Sequence, residues 1–277
     1  MAETPIAIVA GDGALPRLLA EACVRSGRRY GVVRFAGVVL EWADGHPVID
    51  AVYERPGALF SALRRQGLGA AVFAGGMRRP EISPWRLDFL GLRIAPRILG
   101  ALKSGDDTGL RAIATVFESQ GIEIVPAEAL LDGLRALEGT LTTRWPSPED
   151  AADATRGREI LDAVAPVDVG QAVVVAQGVC LGIETVQGTD ALLRFVAETG
   201  AGFRPDPNGA RGVLVKRPKT GQDRRMDLPA IGPETMRRAA AAGLAGVEVE
   251  AGGVLILGRE ATVAAAEAEG LFLSAAR

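Results

Sequence analysis

The chain has 277 residues, 48% of them hydrophobic, and a formal net charge of −3. This length suits one large domain or two ordinary ones with sizeable cores. The charge excludes a general nucleic-acid binder, because sequence-independent affinity for phosphates needs a broad surplus of lysine and arginine. Any anion site must therefore be local.

The first half of the chain alternates strand and helix signals. Short apolar runs predict buried strands at 6–10, 30–37, 70–76 and 121–126. Helical spacing predicts helices at 15–27 and 109–121. This βαβ rhythm is typical of a parallel sheet with helices on its faces. We predict an α/β fold whose N-terminal domain, residues 1–137, is Rossmann-like.

The rhythm changes after residue 137. Residues 138–157 are polar and contain prolines, which predicts a linker that can hold a short helix. Residues 158–277 then predict a distinct C-terminal domain of mixed α+β type, which carries the charged loop described below.

Two hairpins and three helices are predicted within this C-terminal domain. A tight turn at Gln177 and Gly178 joins two strands within 171–184, and residues 247–257 resemble a second hairpin. Thr189 or Asp190 is expected to cap a helix that ends near Gly200. The other predictions are a strand at 212–217 and helices at 233–243 and 259–270.

Cysteine, histidine and long apolar runs are scarce. Cys23 and Cys180 lie far apart and His46 is the single histidine, so zinc sites and Ser–His or Cys–His catalysis are disfavoured. The first residues lack the features of a signal peptide, and no run reaches the ~20 apolar residues of a membrane-spanning helix. We predict a cytoplasmic protein, with peripheral contact to the inner membrane left open.

The first candidate site is AGDGALP, residues 10–16, where Gly11, Asp12 and Gly13 form a turn between a strand and a helix. Amides at such a helix start can bind a phosphate. Pro16 stands where a dinucleotide motif has its third glycine, which disfavours a nicotinamide cofactor. A tight turn without a ligand explains the motif equally well.

Three weaker candidates come from other turns. Arg79 follows a predicted buried strand, at the sheet edge where ligands bind in open α/β folds. Asp106 and Asp107 precede a helix, so one can cap it while the other binds a hydroxyl, an amine or a metal-bound water. Thr189 and the neighbouring helix amides offer another phosphate site, although simple capping explains them too.

The strongest candidate is the loop within VKRPKTGQDRRMDLPAIGPET, residues 215–235. It gathers five basic residues around two carboxylates, Asp223 and Asp227, and prolines break any helix. Lys216 and Lys219 can neutralise the charge of a diphosphate, and a carboxylate can hold Mg²⁺. A solvated run of ion pairs is the alternative.

These motifs together resemble the LpxI family of UDP-2,3-diacylglucosamine pyrophosphatases from bacterial lipid A synthesis. The resemblance runs in order through AGDGALP, FAGGMRRP, KSGDD, VVVAQGVCLGIETVQGTDALLR and, above all, KRPKTGQDRRMDLPAIG. It implies Mg²⁺-dependent hydrolysis of UDP-2,3-diacylglucosamine to UMP and 2,3-diacylglucosamine 1-phosphate, called lipid X. It also implies a homodimer with exchanged domains.

The resemblance assigns the essential aspartate to Asp227, as ligand of Mg²⁺ or as the group that orients the attacking water. Attack is expected at the phosphorus nearer the sugar. The predicted substrate-binding residues are Gly11, Asp12, Gly13, Arg79, Asp107, Thr189, Lys216, Lys219, Gln222 and Asp223. Two other classes stay open: a non-catalytic carrier of a lipid-linked nucleotide and a Rossmann-like oxidoreductase.

Overall fold

The structure, a computed structural model, describes residues 3–77, 81–104, 106–219 and 221–277, with the side chains of 103, 104, 106 and 107 left out. The chain divides into two compact units. The first comprises Met1–Asp132 together with Asp223–Asp227, and the second comprises Gly133–Gln222 together with Leu228–Arg277. A short piece of the charged loop thus belongs to the N-terminal unit.

The first unit is built on a parallel sheet with the strand order β3-β2-β1-β4-β5. This order confirms the Rossmann-like prediction. Its elements are β1 (Ile6–Ala10), α1 (Leu15–Ser26), β2 (Tyr30–Phe35), β3 (Val48–Ala51), α2 (Pro56–Arg65), β4 (Ala70–Ala74), α3 (Phe89–Ser104), α4 (Asp106–Ser119) and β5 (Glu123–Ile124).

Local sequence explains the central strand and the first helix. All five residues of β1 are apolar and buried, as expected for a strand covered on both faces. Helix α1 ends at Gly27, which adopts the left-handed conformation and donates its amide back to the last turn. On α4, Phe117 packs edge-on against Phe60 and Phe73, so the predicted apolar face of this helix covers the sheet.

The second unit contains a mixed sheet with the strand order β6-β13-β11-β9-β7-β8 and a two-stranded parallel sheet, β10-β12. It is of the mixed α+β type that we predicted. Its elements are β6 (Gly139–Thr140), α5 (Pro148–Val164), β7 (Ala172–Ala176), β8 (Val179–Ile183), α6 (Thr189–Thr199), β9 (Val213–Lys216), β10 (Ala230–Ile231), α7 (Pro233–Ala241), β11 (Gly246–Glu250), β12 (Leu255–Ile256), α8 (Arg259–Ala268) and β13 (Phe272–Ala276).

The segment predicted as a linker, 138–157, lies inside the second unit. Strand β6 pairs antiparallel with β13, and α5 packs on β7 and β9. The helix buries small residues, Ala154 and Gly157, and a Cβ on Gly157 would overlap the side chain of Val215. Close packing through small residues needs few large apolar side chains, which is why this segment has the composition of a linker.

Of the two predicted hairpins, the first is confirmed and the second is wrong. Gln177 and Gly178 both have positive φ, as a two-residue turn between β7 and β8 requires. Strand β11 instead pairs in parallel with β9 and β13, and β12 pairs in parallel with β10. An apolar run next to a glycine turn fits several neighbours, and the sequence pattern does not say which one is chosen.

Among the residues that the structure describes, no helix is both long enough and apolar enough to cross a bilayer.

Candidate functional site

The charged loop begins where β9 ends and runs to β10. Lys216 is the last residue of β9 and only 7% exposed. Residues up to Gln222 belong to the second unit, and Asp223–Asp227 belong to the first. We therefore describe the two parts of the loop separately.

In the second unit, a buried lysine and a buried glutamate are joined through one hydroxyl. Lys216 Nζ donates to Thr189 Oγ1 at 2.6 Å, and Thr189 Oγ1 donates to Glu184 Oε1 at 2.7 Å. Glu184 is 8% exposed. Such burial is tolerated because each charged group has a polar partner.

This geometry corrects the capping prediction for Thr189. The N-cap of α6 is Gly188, Thr189 is already the first helical residue, and the N-cap position makes no side-chain cap hydrogen bond. The hydroxyl instead connects the lysine to the glutamate. Helix α6 ends at Thr199, with Gly200 at its C-cap as predicted.

Gln222 connects the loop to the start of the first hairpin. Its Oε1 accepts hydrogen bonds from Gln171 Nε2 and from the backbone amide of Lys219, both at 3.1 Å. The amide of Gln171 donates in turn to Glu184 Oε2 at 2.9 Å. Gln222 and the buried Lys216–Thr189–Glu184 chain thus form one polar network, which fixes the backbone around Lys219.

Lys219 has its own carboxylate partner. Its ammonium group is paired with Asp168, a residue in the left-handed conformation just after α5. The Lys219 side chain is 15% exposed. Both predicted phosphate lysines are thus held by second-unit side chains, Lys216 by a hydroxyl and Lys219 by a carboxylate.

In the first unit, Asp223 is held by Arg225. The guanidinium donates to both carboxylate oxygens, at 2.8 and 3.1 Å, and the Arg225 amide donates at 3.0 Å. The hydrogen bond from the Arg225 side chain is the main cause that lowers the pKa of Asp223 below its ordinary value. Arg225 also bonds Glu118 of α4 at 2.9 Å. These contacts fix the loop on the helix.

Met226 and Asp227 follow directly, beside an apolar cavity. Met226 is buried in the core of the first unit, whereas Asp227 is exposed. Both residues line a cavity of about 360 Å³. The remaining lining comes from the first unit and is mostly aliphatic and aromatic, including Tyr53, Phe73, Ile94, Ile98, Leu110, Ile113 and Phe117.

A metal ligand set is sparse around Asp227. Among the described residues, no group of three or more histidine, cysteine, aspartate or glutamate side chains could hold a metal ion. Mg²⁺ commonly binds through one or two carboxylates and completes its shell with waters and substrate phosphates. A single carboxylate such as Asp227 fits that mode, and Asp223 is already engaged by Arg225.

The glycine turn after β1 has a structural explanation. The amides of Gly11 and Asp12 donate to the carbonyls of Ala74 and Gly76, both at 2.8 Å. A Cβ on Gly11 or Gly75 would overlap the backbone of the other segment. These two glycines therefore allow two turns to meet. Phosphate binding at this turn stays a prediction for Gly11, Asp12 and Gly13, the last of which has a φ of 101°.

Two predicted residues cannot be placed. Arg79 lies outside the described residues. Asp107 is in the first turn of α4, as is Asp106, but their side chains lie outside the description. Their roles stay predictions.

Sequence reasoning missed the partners that position the loop. Glu184 reaches it through the hydroxyl of Thr189, and Gln171, Asp168 and Glu118 contact it directly from other elements. Only the first two gave a signal, because they mark the polar ends of the predicted apolar hairpin at 171–184. The cavity was missed as well, because helix α3 was not predicted.

The first unit is Rossmann-like, with a carboxylate beside an apolar cavity, and the second is a mixed-sheet unit with ordered lysines; together they define a two-unit α/β protein. The family model of the LpxI N-terminal domain matches residues 5–134, and that of the LpxI C-terminal domain matches residues 137–274. A protein of Caulobacter vibrioides named UDP-2,3-diacylglucosamine pyrophosphatase LpxI is 38% identical over 268 residues, 97% of this chain and 96% of the relative. The chain belongs to the LpxI family.

Proposed function

We propose that this protein hydrolyses the pyrophosphate bond of UDP-2,3-diacylglucosamine to give UMP and 2,3-diacylglucosamine 1-phosphate. The name of the Caulobacter relative supports this substrate and reaction. The structural observation that carries the proposal is the position of Asp227, a carboxylate on the wall of an apolar cavity. A diacylated, nucleotide-linked sugar is a ligand that needs both the carboxylate and the apolar cavity.

The cavity supports an acyl-chain site. Its volume of about 360 Å³ is within the usual size of small-ligand sites. Aliphatic and aromatic side chains supply most of the lining, many of them from α2, α3 and α4, so an acyl chain would lose its contact with water there. A soluble nucleotide sugar without acyl chains would gain nothing from such a lining.

The lysines and the polar network support binding of the phosphates. Lys216 and Lys219 would stabilise the negative charge that accumulates on the diphosphate. The hydroxyl of Thr189 holds one ammonium group and Asp168 holds the other. Gln222 holds the backbone between them, so the cations are positioned before the ligand arrives.

Mg²⁺ is part of the proposal, with Asp227 as its protein ligand. When bound with the substrate phosphates, the ion would neutralise charge on the diphosphate. Asp227 would either hold the ion or accept a hydrogen bond from the attacking water. In the proposed step the water oxygen bonds to the phosphorus nearer the glucosamine. The bridging oxygen leaves with UMP, and one water proton passes to the surroundings.

The test is product analysis with purified protein, Mg²⁺ and UDP-2,3-diacylglucosamine. Wild type and Asp132→Asn should release UMP and lipid X, whereas Asp227→Asn should release neither; Asp132 is an exposed aspartate of the first unit away from the cavity. Hydrolysis in water enriched in ¹⁸O should label lipid X and leave UMP unlabelled. Removal of Mg²⁺ by a chelator should stop turnover.

Three results would count against the proposal. Intact substrate with wild type, together with tight binding, would favour a carrier of the lipid-linked nucleotide. Full activity of Asp227→Asn would remove that residue from the mechanism, and full activity with chelator would remove the metal. The homodimer with exchanged domains also stays a prediction, which sedimentation of the full chain would test.

A further inference from the structure

Helix α3 and the short helical turn before it expose large apolar side chains. Trp85 is 88% exposed, Phe89 85%, Leu92 58% and Leu99 42%. Single exposed apolar residues are ordinary, but four within fifteen residues of sequence form a group. We call residues 84–99 the α3 surface.

The same helix is apolar on its opposite face. Leu90, Ile94 and Ile98 pack on the core of the first unit, and the last two line the cavity. A helix with apolar side chains on both faces is normally buried on both. Within the described residues, nothing covers the outer face, so Phe89 and Leu92 face solvent.

Arginines accompany these apolar side chains. Arg86, Arg93 and Arg97 are all exposed, and Arg93 and Arg97 make no ion pair with any residue that the structure describes. The only carboxylate of the α3 surface, Asp88, accepts hydrogen bonds from the amides of Gly57 and Gly91. The net charge of the surface is therefore positive.

We propose that the α3 surface docks on an anionic phospholipid bilayer, with Trp85, Phe89 and Leu92 at the boundary between headgroups and acyl chains. Interfacial helices combine an apolar face with arginine or lysine beside it, and tryptophan favours this depth. The arginines complement anionic headgroups. A second copy that docked symmetrically through the same surface would bring its own arginines against these, so the charge of the surface favours lipid over that contact.

Docking at this surface would place the cavity next to the bilayer. One face of α3 would contact lipid while Ile94 and Ile98, on the other face, line the cavity. An acylated ligand would then have a short path out of the membrane. The docking itself does not depend on the proposed reaction, because it uses residues outside Asp227 and the lysines.

The test is flotation of the full chain with vesicles, without substrate. Wild type should float with phosphatidylcholine vesicles that contain phosphatidylglycerol and remain at the bottom with phosphatidylcholine alone. Each arginine near an anionic surface contributes about fivefold to binding, so Arg93→Gln/Arg97→Gln should bind about 30-fold more weakly. The variant Arg93→Lys/Arg97→Lys, which keeps the charge, should bind like wild type.

The apolar part is tested by Phe89→Ser/Leu92→Ser, which should also stay at the bottom. Phe203→Ser is the matched control, since Phe203 is 68% exposed in the second unit and should be neutral. Circular dichroism would confirm that each variant is folded. Absence of wild-type binding to anionic vesicles would overturn the proposal. So would variants that bind normally but change the sedimenting mass, because the surface would then join copies of the chain.

Discussion

An acyl chain in the first-unit cavity should make catalysis sensitive to chain length in a measurable way. Burial of one methylene group stabilises a complex by about 0.8 kcal/mol, which is about fourfold in affinity. Substrates shortened by two methylenes on the chain that enters the cavity should therefore lose about 15-fold in kcat/KM. Because the chain is remote from the phosphates, most of the loss should appear in KM.

The perturbation that tests this location is Ile113→Trp. Ile113 lies on α4 and lines the cavity, so the larger ring should occupy the space of the chain. The variant should lose activity with long-chain substrate, and its dependence on chain length should flatten. Ile160→Trp is the matched control, because Ile160 is a partly buried isoleucine on α5, in the second unit.

The assay is a set of kcat/KM values for substrates of graded chain length, measured with wild type and both variants. Parallel dependence on chain length in wild type and Ile113→Trp would refute the reasoning, because the chain would then bind elsewhere. A uniform loss at every chain length would indicate damage to the fold, which urea unfolding of the variant would reveal.

Three further predictions concern stability. Thr189→Val should lower the free energy of unfolding by about 1–3 kcal/mol in urea, because it leaves the buried ammonium group of β9 without its partner, whereas Thr189→Ser should be nearly neutral. Gly75→Ala should lower the melting temperature, because Gly75 has a φ of 86° and no room for a Cβ. Gly76→Ala should leave the melting temperature unchanged, because a Cβ there meets no atom within 4 Å. Equal effects of the two substitutions would contradict the packing argument. The stabilisation from Asp223 should be present above its ordinary pKa of 3.8 and lost as the pH falls through the lowered pKa. Asp223→Asn should therefore lower the free energy of unfolding little in strong acid. At neutral pH it should cost only ~1 kcal/mol, since the partner Arg225 is 46% exposed.

The sequence predicted four of the five strands of the first sheet, all except β3, because their signals are local. A parallel strand buried on both faces is a short apolar run, as in β1, and a glycine in the left-handed conformation marks the end of α1. Helix α5 shows the limit of this reasoning. It packs through Ala154 and Gly157, and small residues carry almost no hydrophobic signal, so its segment was interpreted as a linker.

Strand pairing in the second unit was harder to predict for a different reason. The turn at Gln177 and Gly178 is confirmed, because positive φ at two successive residues is a local requirement. The partners of β11 and β12 depend on strands that are distant in sequence. Hydrophobic pattern shows that a strand will be buried, and it does not select among neighbours of equal apolar character.

The charged loop illustrates the same division within the candidate site. The gathering of lysines, arginines and aspartates is visible in the sequence, so the loop itself was found. What each member does depends on distant partners: Glu118 is 107 residues from Arg225, and Asp168 is 51 residues from Lys219. These contacts separate two aspartates that look alike in the sequence.

Asp223 and Asp227 should consequently respond differently to the same substitution. Asp223 gives both carboxylate oxygens to Arg225, so Asp223→Asn should loosen the loop, and Arg225→Gln should reproduce its effect on kcat/KM. Asp227 lies on the cavity wall, so Asp227→Asn should abolish turnover without a matching loss of stability. Kinetics and urea unfolding of the three variants would check this. Loss of turnover in Asp223→Asn with full activity in Arg225→Gln would place Asp223 itself at the chemistry.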